Sequence, residues 1–258
     1  MTNIFDTHAH YDDEAFDEDR TALLDALPSR GVAYVVDCGC SVRSCESALA
    51  LAAQYDWIYA ACGIHPEDCE AFGSVDTLTQ TMLPFWQEKK CVAIGEIGLD
   101  YHYDIDKPTQ LAFFEAQLRA SVELGLPVIV HDREAHGDTM ELLRKYRPKG
   151  VLHCFSGSAE MAKEAVRLGL HVGFGGAVTF KNARKPLEAA AAVPPWRLLL
   201  ETDCPYMAPV PYRGKRCDSS MIPLAAEKIA PLHDMSVQAL LDVTCRNAKT
   251  LFGVPALE

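Results

Sequence analysis

The chain of 258 residues lacks the segments that divide a protein into domains or anchor it in a membrane. It has no Pro-, Gly- or Ser-rich linker, no low-complexity tract and no internal repeat, so we expect residues 1–258 to form one domain. No apolar run approaches the length of a membrane-spanning helix, and no basic or apolar leader precedes the first predicted strand at Ile4. We therefore expect a soluble, cytoplasmic protein without a membrane partner, and the sequence indicates no obligate protein partner.

Positive charge is scarce in this chain. Its 24 Lys and Arg residues face 36 Asp and Glu residues, which gives a formal net charge of -12. A protein that coats nucleic acid owes its affinity to the neutralisation of phosphates, so this composition argues against that class. A locally positive pocket remains compatible with it, because bound cations can dominate the electrostatic field of a site.

The ten cysteines form no paired Cys-x-x-Cys motif, and Cys38-Gly39-Cys40 is the tightest pair. A disulfide scaffold is typical of short secreted chains, so we interpret these residues as reduced thiols that mostly act as small core hydrophobes. A Gly-x-Ser-x-Gly nucleophile elbow is also missing. Neither disulfide-stabilised folding nor serine-hydrolase chemistry is indicated.

Short apolar segments alternate with segments of helical periodicity along the whole chain. We predict strands that end at Phe5 and then cover 32–36, 57–62, 91–94, 127–130, 150–152, 171–174 and 197–200. Ser41, Asp138 and Ser158 are predicted to cap helices between them. This alternation predicts a parallel (β/α)8 TIM barrel. An open doubly wound sheet is the alternative, but histidines occupy the position of its glycine-rich nucleotide turn.

The first predicted strand leads into Asp6-Thr7-His8-Ala9-His10. Side chains two residues apart in a strand project from the same side, so His8 and His10 can bind one metal ion, and Asp6 shares their side. An isolated His-x-His is at least as often a coincidence of a surface loop. The metal interpretation therefore depends on further ligands elsewhere in the chain.

Four more potential ligands follow later apolar segments. They are Glu96 after the fourth strand, His131 after the fifth, His153 after the sixth and Asp203 after the eighth. In a closed barrel these strand ends meet at one rim, although each residue alone has an ordinary structural explanation. Four histidines and two carboxylates exceed the needs of one tetrahedral ion, which favours two divalent ions.

We assign the six candidates to two ions. The hypothesis places His8, His10 and Asp203 on one ion and His131 and His153 on the other, with Glu96 bridging them. Asp203 is also the candidate for the base that takes a proton from the attacking water, and Glu96 belongs to the same catalytic set. Mixed imidazole and carboxylate ligands suit Zn²⁺ or Mn²⁺, and Mg²⁺ is the alternative that prefers harder ligands.

Several motifs resemble the TatD family of metal-dependent hydrolases. They are Asp6-Thr7-His8-Ala9-His10, Gly63-Ile64-His65-Pro66, Gly95-Glu96-Ile97-Gly98-Leu99-Asp100, His153-Cys154-Phe155-Ser156-Gly157, Glu201-Thr202-Asp203-Cys204-Pro205 and Arg213-Gly214-Lys215-Arg216. The resemblance covers essentially the whole chain. It implies a TIM barrel, divalent cations at the candidate ligands and hydrolysis of DNA phosphodiesters, often as a 3′-exonuclease. Related barrels that carry a carboxylated lysine on the fourth strand are less similar, because this chain has Glu96 there.

Substrate contacts are predicted on loops above the rim. His65, Arg133 and Arg213 are the candidates for phosphate binding, although surface ion pairing also explains Arg133. Tyr101 and Tyr206 are candidates for stacking on bases, but aromatic residues at a rim more often serve packing. Asp6 and Glu201 are candidates for orienting the ligands. In this family Arg213-Gly214-Lys215-Arg216 is commonly followed by Asn-Glu-Pro, whereas Cys217-Asp218-Ser219 stands here.

Two other functions are compatible with these residues. An ester deacylase that acts on D-aminoacyl-tRNA or a small ester would use the same ions, since a two-metal site also attacks carbonyl carbon. A non-catalytic barrel that binds metal or nucleic acid is the second alternative. The complete ligand set and the acidic composition argue against that binding module.

Overall fold

The computed structural model describes residues 1–255, so positions 256–258 of the predicted domain lie outside the described residues. Its strands are β1 (Ile4–Ala9), β2 (Val32–Gly39), β3 (Ile58–Cys62), β4 (Cys91–Asp100), β5 (Val128–Arg133), β6 (Gly150–Leu152), β7 (His171–Phe174) and β8 (Leu198–Leu200). All eight strands are parallel to their neighbours and follow the chain order in one sheet.

The two edges of the sheet meet just beyond β8. Ala9 of β1 forms a parallel bridge with Cys204, and the amide of His10 donates to the Cys204 carbonyl over 2.8 Å. The amide of Asp203 donates to the His8 carbonyl over 2.9 Å. These contacts nearly close the barrel, so the predicted TIM-barrel architecture is confirmed.

Helices follow the strands and surround the barrel. They are α1 (Arg20–Ala26), α2 (Val42–Gln54), α3 (Cys69–Phe72), α4 (Leu78–Trp86), α5 (Lys107–Leu124), α6 (His136–Tyr146), α7 (Ala159–Arg167), α8 (Arg184–Ala192), α9 (Ile222–Ile229) and α10 (Val237–Phe252). The predicted caps at Ser41 and Ser158 are confirmed, because each side chain accepts a backbone N–H of its helix. The predicted cap at Asp138 is wrong: α6 begins two residues earlier, and the Asp138 carboxylate accepts a hydrogen bond from the Tyr101 hydroxyl.

Strands β4 and β5 extend further than predicted. The apolar run of β4 stops at Ile94, yet pairing continues through Gly98↔His131 and Asp100↔Arg133. Glu96 and His131 therefore lie within strands rather than after them. The reason is that polar side chains can continue a strand when they face a polar barrel mouth, which an apolar pattern does not reveal.

Two layers of buried side chains hold the barrel together. The larger layer lies between the sheet and the helices, and its members include Phe113 and Phe114 of α5. A second cluster combines side chains from seven strands with Phe252 of α10. Side chains from so many strands can meet only inside the barrel, so its interior is a packed core. No described helix is both long and apolar enough to cross a membrane.

His171 lies at the first residue of β7, the end of the strand opposite to the metal candidates. Burial, followed by the positive charge of Arg197, lowers its pKa from 6.5 to about 4. A histidine with a depressed folded-state pKa stabilises the fold above pH 6.5 and loses that contribution as the pH falls toward 4.

We predict that His171→Gln reduces the acid sensitivity of the fold. Urea unfolding at pH 7 and pH 5 measures the free energy of unfolding of each protein. From pH 7 to pH 5 the free energy of unfolding of the wild type should fall by about 2 kcal/mol more than that of the variant. The reason is that His171 binds a proton at pH 5 in the unfolded state but not in the folded state. Equal losses in the two proteins would show that His171 does not contribute.

Candidate metal centre

A cavity of about 650 Å³ opens where the carboxyl ends of the strands meet. It is lined by residues from the carboxyl-terminal parts of the strands and from the loops that follow them, among them His10, Cys40, His65, Glu96, His131 and Asp203. Seven of the described residues that line it carry carboxylates, and one, Arg133, carries a permanent positive charge. Such an excess of negative charge favours the binding of cations.

The first cluster in this cavity joins β1 to the segment after β8. The Nε2 atoms of His8 and His10 lie 3.0 Å apart. Oδ1 of Asp203 lies 3.6 Å from the first of these nitrogens and 3.4 Å from the second. Oε2 of Glu96 lies 3.2 Å from His8 Nε2 and 3.5 Å from His10 Nε2.

The second cluster uses the other oxygen of Glu96. Its Oε1 lies 2.8 Å from His131 Nδ1 and 2.8 Å from His153 Nε2. These two nitrogens are 3.3 Å apart. The structure therefore brings all six candidate ligands together and turns one carboxylate oxygen of Glu96 toward each cluster.

The donor atoms fit divalent ions. In a tetrahedral zinc site with ligands at 2.0–2.1 Å, neighbouring donor atoms are about 3.3 Å apart, which is close to the separations in both clusters. His10 Nδ1 lies 2.9 Å from the Cys38 carbonyl, which can only accept, so we assign the ring proton of neutral His10 to Nδ1. Its Nε2 lone pair then faces His8 and two carboxylates, an arrangement that requires a cation or a proton between them.

The pKa values of Glu96 and His10 also indicate that the buried carboxylates need positive charge beside them. Burial acts to raise the pKa of Glu96, but the neighbouring histidines, led by His153 and His8, outweigh it and hold the pKa well below its usual range. Burial acts to lower the pKa of His10, yet its hydrogen bond to Asp203 and the charge of Glu96 raise it to about 10. Without a metal, protons on histidine compensate the buried carboxylates, and divalent ions can replace those protons.

Asp100 is a site residue that the sequence analysis missed. Its Oδ2 accepts a hydrogen bond of 2.9 Å from His131 Nε2, which leaves the Nδ1 lone pair facing Glu96. This is the usual arrangement by which a carboxylate orients a metal-binding histidine. Asp100 ends the Gly95–Asp100 motif, but only the pairing of β4 with β5 brings it next to His131.

The structure separates the three predicted phosphate contacts. His65 and Arg133 line the cavity, with His65 Nε2 3.5 Å from Glu96 Oε1. Arg213 does not line it; its guanidinium lies 4.4 Å from the centre of the Phe180 ring, in another small cavity. An exposed loop leaves no periodicity from which the direction of an arginine side chain can be predicted.

Asp6 and Glu201 contact the backbone around the candidate ligands. Asp6 is fully buried and accepts hydrogen bonds from the amides of His8 and Thr202 and from the Thr202 hydroxyl. Glu201 accepts the amide of Cys154, and its Oε1 lies 3.9 Å from His153 Nδ1. A side chain at Gly173 would overlap the Glu201 carboxyl, so this glycine provides the space for it. Burial raises the pKa of Glu201 well above its ordinary value.

The unusual segment Cys217-Asp218-Ser219 is accommodated next to Asp6. The Ser219 hydroxyl donates to Asp6 Oδ2 over 2.7 Å. Asp218 accepts the amide of Ser220 and caps the short turn that leads into α9. The segment before α9 therefore still begins with a capped turn, and Ser219 connects this turn to Asp6 of β1.

Comparison with known proteins decides the family. The family model described as TatD related DNase matches residues 5–253. The chain belongs to the TatD family. Its relatives include the uncharacterized metal-dependent hydrolase YabD of Bacillus subtilis, which is 39% identical over 97% of this chain and 99% of its own length.

Two further relatives support the assignment. The 3'-5' ssDNA/RNA exonuclease TatD of Cronobacter sakazakii is 33% identical over 96% of this chain and 97% of its own length. The crystal structure of YjjV, a TatD homologue from Escherichia coli K12, superposes with a TM-score of 0.88 at 32% identity and covers 98% of this chain and 99% of its own. The chain is thus a metal-dependent hydrolase of the TatD type.

We predict that Asp100→Asn selectively weakens metal binding at the second cluster. The amide keeps the shape of the side chain but loses the charge that orients His131, so affinity at the second cluster should fall about 10- to 100-fold. Competition with a coloured chelator measures both affinities. Asp104→Asn, an exposed change in the following loop, is the matched control. Two unchanged affinities in Asp100→Asn would contradict the assignment.

Proposed function

We propose that this protein is a deoxyribonuclease that hydrolyses DNA phosphodiesters with two divalent ions, in the manner of a 3′-exonuclease. The observation that carries the proposal is the Glu96 carboxylate, which turns one oxygen toward each of two histidine clusters. The exonuclease relatives support the choice of a nucleic acid substrate. In this proposal the whole chain acts as one catalytic domain, and its ten unpaired thiols suit the reducing cytoplasm.

Ligand roles follow from the geometry of the two clusters. We assign His8, His10 and Asp203 to one ion, His131 and His153 to the other, and Glu96 to both. Bound there, two divalent ions would lower the pKa of a water molecule and stabilise negative charge on a phosphate. Zn²⁺ or Mn²⁺ suits this mixture of imidazole and carboxylate ligands, and Mg²⁺ is the alternative.

Asp203 is the residue that accepts the proton of the attacking water. Its side chain is 21% exposed, compared with 6% for Glu96, so of these two carboxylates it is more open to the cavity. Burial acts to raise its pKa, but the hydrogen bond with His10 and the charges of His8 and His153 lower it below the ordinary range. The carboxylate is therefore ionised and able to accept a proton at neutral pH.

His65 and Arg133 are placed to bind the scissile phosphate. Nδ1 of His65 accepts the amide of Glu67, so in the neutral ring Nε2 carries the proton and points toward the second cluster. The Arg133 side chain is 44% exposed and its Nη1 lies 4.0 Å from Asp100 Oδ2, which leaves donors free for a phosphate. Both groups approach the phosphate from the side of β3 and β5.

Exposed tyrosines at the cavity suit unpaired bases. Tyr206 is 57% exposed, and Tyr103, which the sequence analysis did not consider, is 46% exposed below the Arg133 guanidinium. Tyr101 does not line the cavity: it is partly buried against the core, and Lys107 covers its ring. Open aromatic faces bind bases of any sequence by stacking, which favours single-stranded ends over duplex.

A digestion of single-stranded DNA labelled at its 3′ end, with added Zn²⁺, Mn²⁺ or Mg²⁺, tests the proposal. Wild-type protein should trim the DNA, and Asp203→Asn should lower the turnover about 100- to 10,000-fold because the proton acceptor is lost. Metal content measured on the same samples distinguishes loss of the base from loss of an ion. Asp104→Asn serves as the control and should keep wild-type turnover.

D-aminoacyl-tRNA and a small phosphodiester are run beside the DNA. Cleavage of the aminoacyl ester without trimming of DNA would contradict the proposed nuclease and show that the protein is a deacylase. Binding of DNA without any cleavage, at full metal content, would favour the non-catalytic barrel.

The arginines provide a second test. Arg133→Gln should raise the KM for DNA about 10- to 100-fold, the worth of a hydrogen bond to a charged group. Arg213→Gln should change it less than about twofold, because this side chain packs on Phe180 in a separate cavity. Steady-state kinetics on a short oligonucleotide measures both. A larger increase in KM for Arg213→Gln than for Arg133→Gln would show that Arg213, and not Arg133, binds the phosphate.

A further inference from the structure

The tightest cysteine pair, Cys38-Gly39-Cys40, ends β2 at the wall of the same cavity. Its two thiols point to one side of the strand, as residues two apart do. Cys38 lies behind the first cluster: its carbonyl accepts His10 Nδ1 over 2.9 Å, and its Sγ lies 3.5 Å from His8 Nδ1. The end of β2 therefore holds both histidines of β1 from the side opposite to their Nε2 atoms.

Cys40 lies on the Nε2 side of the cluster. Its Sγ is 3.6 Å from Glu96 Oε2, the oxygen that faces His8 and His10. The donor atoms of Cys40, His10 and Glu96 all lie within 4.8 Å of one another. Eight of the ten cysteines are buried, as expected of small core hydrophobes, whereas Cys40 is one of two that are half-buried.

The backbone of Cys40 is fixed on both sides. Its amide donates to the Ser44 hydroxyl over 2.7 Å, within the capping box of α2. Its carbonyl accepts the amide of His65 over 2.8 Å. These bonds tie Cys40 to the first turn of α2 and to a proposed phosphate contact, so the backbone that carries the thiol is fixed by the framework of the barrel mouth.

The separation of sulfur and oxygen agrees with a shared ion. With Cys40 added to the four ligands already assigned to it, the first ion would be five-coordinate. Zn–S near 2.3 Å and Zn–O near 2.1 Å at ligand angles of about 90–120° would place the two donor atoms about 3.1–3.8 Å apart, a range that includes the observed separation. We propose that Cys40 is a further ligand of the ion held by His8, His10 and Asp203. This inference rests on the proposed metal centre. On binding, the S–H bond breaks, its proton passes to water, and the thiolate sulfur donates its electron pair to the ion.

A thiolate changes which metal the site selects. Thiolate is a soft ligand that favours Zn²⁺ over Mg²⁺, whereas carboxylate and imidazole alone discriminate less strongly. Cys40 thus makes the first ion a zinc ion even where magnesium is abundant. The alternative is a neutral Cys40 thiol that donates a weak hydrogen bond to Glu96 and never contacts the ion.

X-ray absorption at the zinc edge of the wild-type protein, loaded with two equivalents of Zn²⁺, distinguishes these arrangements without any mutation. We expect a sulfur shell near 2.3 Å with an average occupancy of about half a sulfur per zinc, because one of two ions carries the thiolate. A spectrum with nitrogen and oxygen shells alone overturns the role of Cys40 and leaves the metal centre intact. Failure to bind zinc at all overturns both.

The Co²⁺-substituted protein gives a second readout. Wild-type protein should show a near-ultraviolet charge-transfer band from thiolate to cobalt, and Cys40→Ser should lose it while its far-ultraviolet circular dichroism shows an intact fold. The zinc affinity of Cys40→Ser should fall about 10- to 100-fold, with little change for Mg²⁺. Cys154→Ser, at the other half-buried cysteine, is the matched control and should keep the band. A band that persists in Cys40→Ser contradicts the proposal.

Discussion

The contact on which the site depends is that of the buried Glu96 carboxylate with the imidazoles of β1, β5 and the end of β6. A carboxylate with 4% exposure is stable only where positive charge surrounds it. The imidazoles of His8, His131 and His153 lie within 3.2 Å of its two oxygens. Burial acts to lower the pKa of His131, but its hydrogen bonds with Asp100 and Glu96 raise it to about 10, so this ring supplies positive charge when no metal is bound. Each histidine reaches it from a different part of the chain, so the electrostatics of Glu96 and the closure of the barrel stabilise one another.

Closure in turn depends on Asp6. This carboxylate accepts hydrogen bonds from the amide of His8, from both polar groups of Thr202 and from the Ser219 hydroxyl. It therefore joins β1, the end of β8 and the segment before α9. Burial raises its pKa to about 6, against the effect of these hydrogen bonds. These contacts position the first cluster, because one bonded amide is that of His8 and the other, that of Thr202, directly precedes Asp203.

Much of this arrangement could be predicted from the sequence. The alternation of strands and helices predicts the barrel, and the position of histidines after apolar runs predicts which side chains meet. These signals work because a closed parallel sheet gathers its strand ends at one rim. The pattern does not predict pairing that continues through polar residues, which is why Glu96 and His131 were placed after their strands. It also does not predict loop directions, which is why Arg213 was assigned to a cavity that it does not line.

Asp100 and Cys40 were missed for a different reason. Both lie where a pattern of hydrophobic residues ends, and their roles depend on which atom of a histidine or carboxylate they approach. Asp100 accepts from His131 Nε2, and Cys40 approaches Glu96 Oε2 at the edge of the first cluster. Which atoms approach one another depends on the register between neighbouring strands, because the register determines which side chains lie side by side at the mouth of the barrel. Strand order in this barrel therefore brings the candidate ligands together, and in our proposal the residues beside them select the ion.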